Sequence, residues 1–187
     1  FITKDLSDIF KDISKKFLFL CFLRGISFVF MQIFFYIAVI NMNFATAITL
    51  TFSSPIFIVV LSMLLLKERI GLFRWSAIFI GFSGVLIIMN PRSELFSFFS
   101  IFPLLAALCW AISNIVLKFI PDDISSVKIN FYSLNFSYLT SIIILLLTND
   151  FSSVQGSIHW LLMILIGILG GVASILFSYA YRVISPS

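Results

Sequence analysis

A chain of 187 residues that is 61% hydrophobic and 11% charged, with a mean hydropathy of +1.16, has too little polar surface for a water-soluble domain. Twelve Lys and Arg against eight Asp and Glu give a net charge of +4, which in so apolar a sequence reports membrane topology rather than nucleic-acid binding. There is no Walker A glycine loop to bind ATP, and Cys21 and Cys109 lie in apolar runs without disulfide or metal spacing.

In chain order, residues 1–16 come first. Leu6, Ile9, Phe10, Ile13 and Phe17 recur at helical spacing, with Lys4, Asp8, Lys11, Asp12 and Lys15 mostly opposite. This pattern predicts a short helix in the cytoplasmic interface, and it lacks the apolar core of a signal peptide. Apolar runs then predict membrane spans at 17–40, 44–66, 72–89, 101–119, 129–147 and 158–181. A bilayer core takes about 20 residues of helix, so each run is long enough or nearly so.

The cationic residues check this division. If the first span leaves the cytoplasm, Lys4, Lys11, Lys15, Lys16, Arg24, Lys67, Arg69, Arg74, Lys118, Lys128 and Arg182 fall inside, and only Arg92 falls outside. A missed or invented span would scramble that bias, so it fixes both orientation and count. Beginning at Phe1 and stopping directly after a span, the chain is expected to be an internal piece of a longer protein.

Val39-Ile40-Asn41-Met42-Asn43 can be laid on Val183-Ile184-Ser185-Pro186-Ser187, each following an aromatic cluster (Phe34, Phe35 and Tyr36 against Phe177, Tyr179 and Tyr181). The offset of 144 residues contains five predicted spans, so the two copies would cross the membrane in opposite directions. Inverted repeats of that kind build transporters whose substrate site lies between the halves.

Further residues carry a resemblance. Ala45, Ser54-Pro55-Ile56-Phe57, Leu66-Lys67-Glu68-Arg69, Gly81, Gly84-Val85 and Asn90-Pro91 follow one another in a pattern that resembles the EamA module of the drug/metabolite transporter superfamily. The segment from Ala106 to Asn114 resembles the opening helix of a second module, and Ala180-Tyr181-Arg182 the end of that module's third helix. The resemblance implies an all-α polytopic membrane protein of ten helices in two inverted five-helix repeats. Here the chain would supply helices three to eight, with residues 17–91 closing the first repeat and 92–187 opening the second. It also implies a secondary transporter, exporter or importer, of a small metabolite or drug-like amphiphile, in the inner membrane of a bacterium.

The candidate cavity residues are neutral polar groups at membrane depth, where a lipid-facing polar group is costly. Gln32 and Tyr36 share a face with Arg24 and Phe28; Gln32 serves either a cavity or an interhelical hydrogen bond, and Tyr36 a cavity or the outer aromatic belt. Asn43, Thr46, Thr49 and Ser53 line one face of the second span, with Thr51 and Ser54 beside it. Pro55 has no N–H, so the carbonyl of Thr51 loses its usual helical donor. Either a neighbouring hydroxyl compensates, or the helix breaks and joins a binding site.

Trp110 and Asn114 share a stripe on the fourth span, one offering a stacking face and the other a donor and acceptor. On the last span, Gly167, Gly171, Ser174 and Ser178 suit close helix packing, while Ser178 and Tyr179 are also candidates for the opposite cavity wall. The resemblance suggests Glu68 as a coupling acid, but its interfacial depth and its neighbours Lys67, Arg69 and Arg74 argue for a structural ion pair instead; with Pro55 it is assigned to structure or gating. His159 falls at the outer interface.

No Asp or Glu lies within a predicted span, and nothing resembles a nucleophile–base pair, so no catalytic residue, metal ligand or cofactor is expected. The expected partners are the lipid bilayer and a small-molecule substrate, without nucleic acid; a homodimer is kept open. A nucleotide-sugar or lipid-linked sugar transporter of the same fold, or a structural membrane protein, remains the alternative.

Overall fold

The computed structural model describes residues 13–67, 71–89, 98–148 and 157–183. Among them there is no β-strand, and each of the six predicted spans is helical. Glu68, Arg69, Arg92 and the predicted interfacial segment up to residue 12 lie outside the described residues.

Helix α1 runs Lys15–Asn41. The Ser14 hydroxyl oxygen accepts from the Phe17 amide at 3.1 Å, satisfying one of the orphan donors of the first turn. At 27 residues the helix is about 40 Å long, more than the bilayer core needs. It gives way to α2, Phe44–Thr51, which begins at Asn43, whose side chain accepts from the Ala45 amide at 2.9 Å.

The predicted second span is not one helix. A turn at Phe52 and Ser53 separates α2 from α3, Ser54–Leu61, in which Pro55 sits in the first turn. Proline is accommodated there because a first-turn N–H would have no intrahelical partner. The helix continues as a π-helical turn, Ser62–Leu66, and stops at Lys67, whose φ of 55° is left-handed.

Helix α4 spans Leu72–Met89. A 3₁₀ turn at Phe98–Ser100 leads into α5, Ile101–Lys118, with the buried Pro103 in its first turn. Helices α6, Ser126–Thr148, and α7, Ser157–Val183, follow. By length and composition, five stretches among the described residues can cross a membrane: α1, the α2–α3 run to Leu66, the 3₁₀–α5 run, α6 and α7. The sixth span, α4, is the shortest at 18 residues.

These helices divide into two compact units. The first takes the chain up to Gly25 and from Leu117 onward. Its core is Phe17, Cys21, Leu117, Ile120 and Ile129, bordered by Tyr132 and Phe136. Phe17 meets Tyr132 edge-on at 5.5 Å between centroids, and the Lys128 Nζ lies 5.6 Å from the Phe17 ring. Gly25 permits a close approach: a Cβ there would lie 2.6 Å from the Ser133 carbonyl oxygen, so α1 and α6 cross nearly backbone to backbone. In α7, residues 158–170 are exposed throughout, and Gly167 and Gly171 face open space, whereas Ser174 and Ser178 bond to Asn130.

The second unit is Ile26–Val116. Leu50 is fully buried against Met42 and Leu104, while Ala38, Ala47, Ala106, Ala107 and Ala111 are all buried. Small residues at these places let helix backbones approach closely, the usual packing solution where lipid removes the hydrophobic drive between helices. Aromatic pairs fill the remaining gaps, among them Phe34–Phe102 and Phe28–Trp110 with centroids 6.3 and 5.7 Å apart.

Candidate functional site

Within the second unit, three elements line an open cavity of about 380 Å³. Helix α1 contributes Met31, Gln32 and Phe35; the α2–α3 break contributes Thr51, Phe52 and Ser54; helix α5 contributes Ala106, Ala107 and Trp110. The sets from α1 and α5 follow the i, i+1, i+4 spacing of one helix face. Counted along their helices, Gln32, the break and Trp110 each lie within about one turn of the middle of their span.

The break follows from Pro55. Without its N–H the α2 ladder cannot be extended, and the local hydroxyls turn to carbonyls one turn earlier. Thr51 Oγ1 donates to Ile48 O at 2.6 Å, Ser53 Oγ to Leu50 O at 2.7 Å, and Thr49 Oγ1 to Ala45 O at 2.8 Å. None of these reaches the carbonyl of Thr51, the one that proline deprives. Of the two outcomes open from the sequence, the helix takes the break, and Thr51 stands on the cavity wall.

Trp110 is held by its neighbours. Phe28 packs against the indole at a tilt of 57°, and the Asn114 amide donates to the Trp110 carbonyl at 2.8 Å. Ala106 and Ala107, small and buried, leave open the space that Trp110 borders. The lining carries no charged side chain; its polar side-chain groups are the Gln32 carboxamide, the Thr51 and Ser54 hydroxyls and the Trp110 indole N–H. The side chains of Gln32 and Ser54 make no hydrogen bond among the described residues.

The candidate residues therefore separate. Gln32, Thr51 and Trp110 meet at the cavity, and Pro55 creates the break that opens it. Ser53 is buried beside that break, Thr49 bonds within α2, and Asn114 is buried one turn beyond Trp110; none of the three lines the cavity. Tyr36 is 61% exposed and also outside the lining. Ser178 and Tyr179 belong to the other unit, Ser178 buried in a polar cluster and Tyr179 63% exposed. Glu68 lies outside the described residues.

Spacing about the polar candidates does not reveal the whole lining. Met31, Phe35 and Phe52 are apolar, and only their positions next to Gln32 and Thr51 signal them. A second omission is the polar cluster itself. Arg24 is 1% exposed, and its Nη1 donates to Asn130 Oδ1 at 3.2 Å while its Nη2 donates to Ser178 Oγ at 2.9 Å. Ser174 Oγ donates to the same Asn130 oxygen at 2.8 Å.

A multi-pass helical membrane protein with a neutral cavity at a proline break defines a class, and the sequence places the chain within it. The chain belongs to the EamA-like transporter family, whose profile matches residues 2–90 and again 98–187. It is similar to a riboflavin transporter of Vibrio cholerae, 32% identical over 140 residues that cover 75% of this chain and 46% of that protein. A riboflavin transporter of Rhizobium johnstonii is 40% identical over 72 residues, 38% of this chain and 24% of that protein. An S-adenosylmethionine uptake transporter of Rickettsia conorii is 28% identical over 127 residues, 68% and 42% of the two chains. The chain spans less than half the length of each of these relatives. No solved structure matches it.

Proposed function

We propose that the full-length protein is a secondary transporter that takes up a small heteroaromatic metabolite across a bacterial inner membrane by alternating access. The observation that carries this reading is the cavity at the Pro55 break, in a chain of the EamA-like transporter family. Unwound backbone is tolerated at membrane depth where it borders a cavity, and discontinuous helices form the substrate sites of many secondary transporters. Two successive matches to one family profile fit a protein built of repeats, of which the described residues hold helices α1 to α7.

The relatives' names supply the substrate class. Riboflavin and S-adenosylmethionine each join a fused nitrogen heterocycle to a polar tail, and uptake is the direction named for the second. The cavity volume lies within the range of about 300–1,000 Å³ common to small-molecule sites.

The test is reconstitution of the full-length protein in sealed liposomes, with time-resolved entry of radiolabelled riboflavin, S-adenosylmethionine and a panel of nucleosides. Saturable, protein-dependent flux of at least one solute is the expected result. Flux no faster than through empty liposomes for the whole panel would sink the transport reading.

A further inference from the structure

The cavity lining has a chemistry more selective than the family alone implies. Three aromatic side chains reach it from three different segments: Phe35 from α1, Phe52 from the break and Trp110 from α5. Met31 adds a polarisable thioether, a side chain that packs well against ring edges. Against these flat apolar surfaces stand one carboxamide, two hydroxyls and the indole N–H of Trp110, and no cation or anion. A site of this composition rewards a flat, uncharged solute and penalises a charged one, because no lining group offsets the lost hydration of an ion.

The Gln32 carboxamide adds direction. It carries an acceptor oxygen beside a donor NH₂, and it has no hydrogen-bonding partner among the described residues. Gln32 is exposed on the open side of the cavity, so both its donor and its acceptor are available to a solute. Its fixed donor–acceptor pair complements a cyclic amide or imide, in which a ring N–H sits beside a ring carbonyl. At the break, the Ser54 hydroxyl likewise makes no hydrogen bond among the described residues.

We propose that this cavity selects an uncharged fused heteroaromatic ring bearing an imide or lactam edge, the ring face lying on Trp110 and the edge read by Gln32. The proposal rests on the transport reading above and deepens it. Of the two solutes named for the relatives, it favours the neutral isoalloxazine of riboflavin over S-adenosylmethionine, whose sulfonium and amino-acid charges find no counterpart in the lining.

The experiment uses the full-length protein in detergent, with quenching of flavin fluorescence as the binding signal. Three probes are compared: riboflavin, riboflavin methylated at the imide nitrogen, and S-adenosylmethionine as a competitor. Losing either the ring stacking or the edge contact weakens binding about tenfold or more. Accordingly, Gln32→Leu and Trp110→Ala each weaken riboflavin binding about tenfold, while Trp110→Phe retains most of it. The methylated probe binds the native protein about tenfold more weakly than riboflavin does, and binds Gln32→Leu as well as riboflavin does.

S-Adenosylmethionine displacing riboflavin at equal concentration, or unaltered riboflavin affinity in both Gln32→Leu and Trp110→Ala, overturns the proposal. So does a failure to bind riboflavin in a preparation that still carries another solute into liposomes. None of these outcomes disturbs the transport reading, which fails only if flux itself is absent.

Discussion

The guanidinium of Arg24 donates to the Oδ1 of Asn130 at 3.2 Å, joining residues 106 positions apart in the sequence. Asn130 is oriented for this task, because its amide nitrogen donates to the Ser126 carbonyl at 2.9 Å and leaves the oxygen free to accept. That oxygen collects Ser174 and Ser178 as well, at 2.8 and 3.4 Å, so α1, α6 and α7 meet at one atom. The fork geometry of arginine reaches both Asn130 and Ser178, which a lysine ammonium cannot match from a single position. Arg24→Leu is therefore expected to destabilise the protein by about 1–3 kcal/mol, since it strands buried acceptors as well as losing two bonds. Arg24→Lys recovers only part. Thermal unfolding in detergent measures both, and a double-mutant cycle with Ser178→Ala should give a coupling of about 0.5–2 kcal/mol; strict additivity would refute the contact.

Gly25, one residue further along α1, tests how tightly that helix crosses α6. A Cβ at this position would lie 2.6 Å from the Ser133 carbonyl oxygen and 2.9 Å from the Phe136 Cβ, and neither is the movable tip of a side chain. Gly25→Ala must push the helices apart, at about 1–3 kcal/mol for overpacking. Gly81→Ala is the control, because nothing lies within 4 Å of a Cβ there, and alanine is the better helix former. A lowered melting temperature for the first and an unchanged or raised one for the second is the expected pair of results.

Residue type and spacing anticipate much of this. Long apolar runs specify helices because lipid leaves the backbone no other way to satisfy its polar groups, and the observed α1, Lys15–Asn41, extends the predicted 17–40 by three residues. Pro55 marks the break for an equally local reason, the missing N–H. Arg24 shows where such reasoning stops. By position it reads as one more cytoplasmic charge, but its burial depends on Asn130 and Ser178, whose nearness is set by tertiary packing. The cavity divides in the same way: polar groups in an apolar helix announce Gln32 and Thr51, whereas Phe35 and Phe52 look like any of the chain's 24 phenylalanines until the helices are assembled.

The left-handed backbone at Lys67 is a separate, local strain. Its φ of 55° terminates the π-helical turn Ser62–Leu66, with the Lys67 amide donating back to Ser62 O. A side chain in this conformation costs about 1–2 kcal/mol that glycine avoids. Lys67→Gly should thus raise the melting temperature, and Lys67→Ala, which keeps the Cβ, should not. Equal shifts in the two variants would place the effect on the lysine charge instead.

Restoring the missing backbone donor addresses the cavity directly. Pro55→Ala returns an N–H to position 55, and the carbonyl of Thr51 is its natural acceptor in a continuous helix. Closing that ladder straightens the run from Phe44 to Leu66 and draws Thr51, Phe52 and Ser54 into regular helix, away from the positions in which they line the cavity. Stability should hold or rise, since an alanine helix satisfies every backbone group without the turn at Phe52 and Ser53. Transport should fall by about tenfold or more, the equivalent of losing roughly 1.4 kcal/mol of productive contact. Flux in liposomes and thermal unfolding, measured on the same preparation, separate the two effects. A variant that loses stability and transport together would make Pro55 a folding requirement, whereas one that keeps full transport would remove the break from the mechanism.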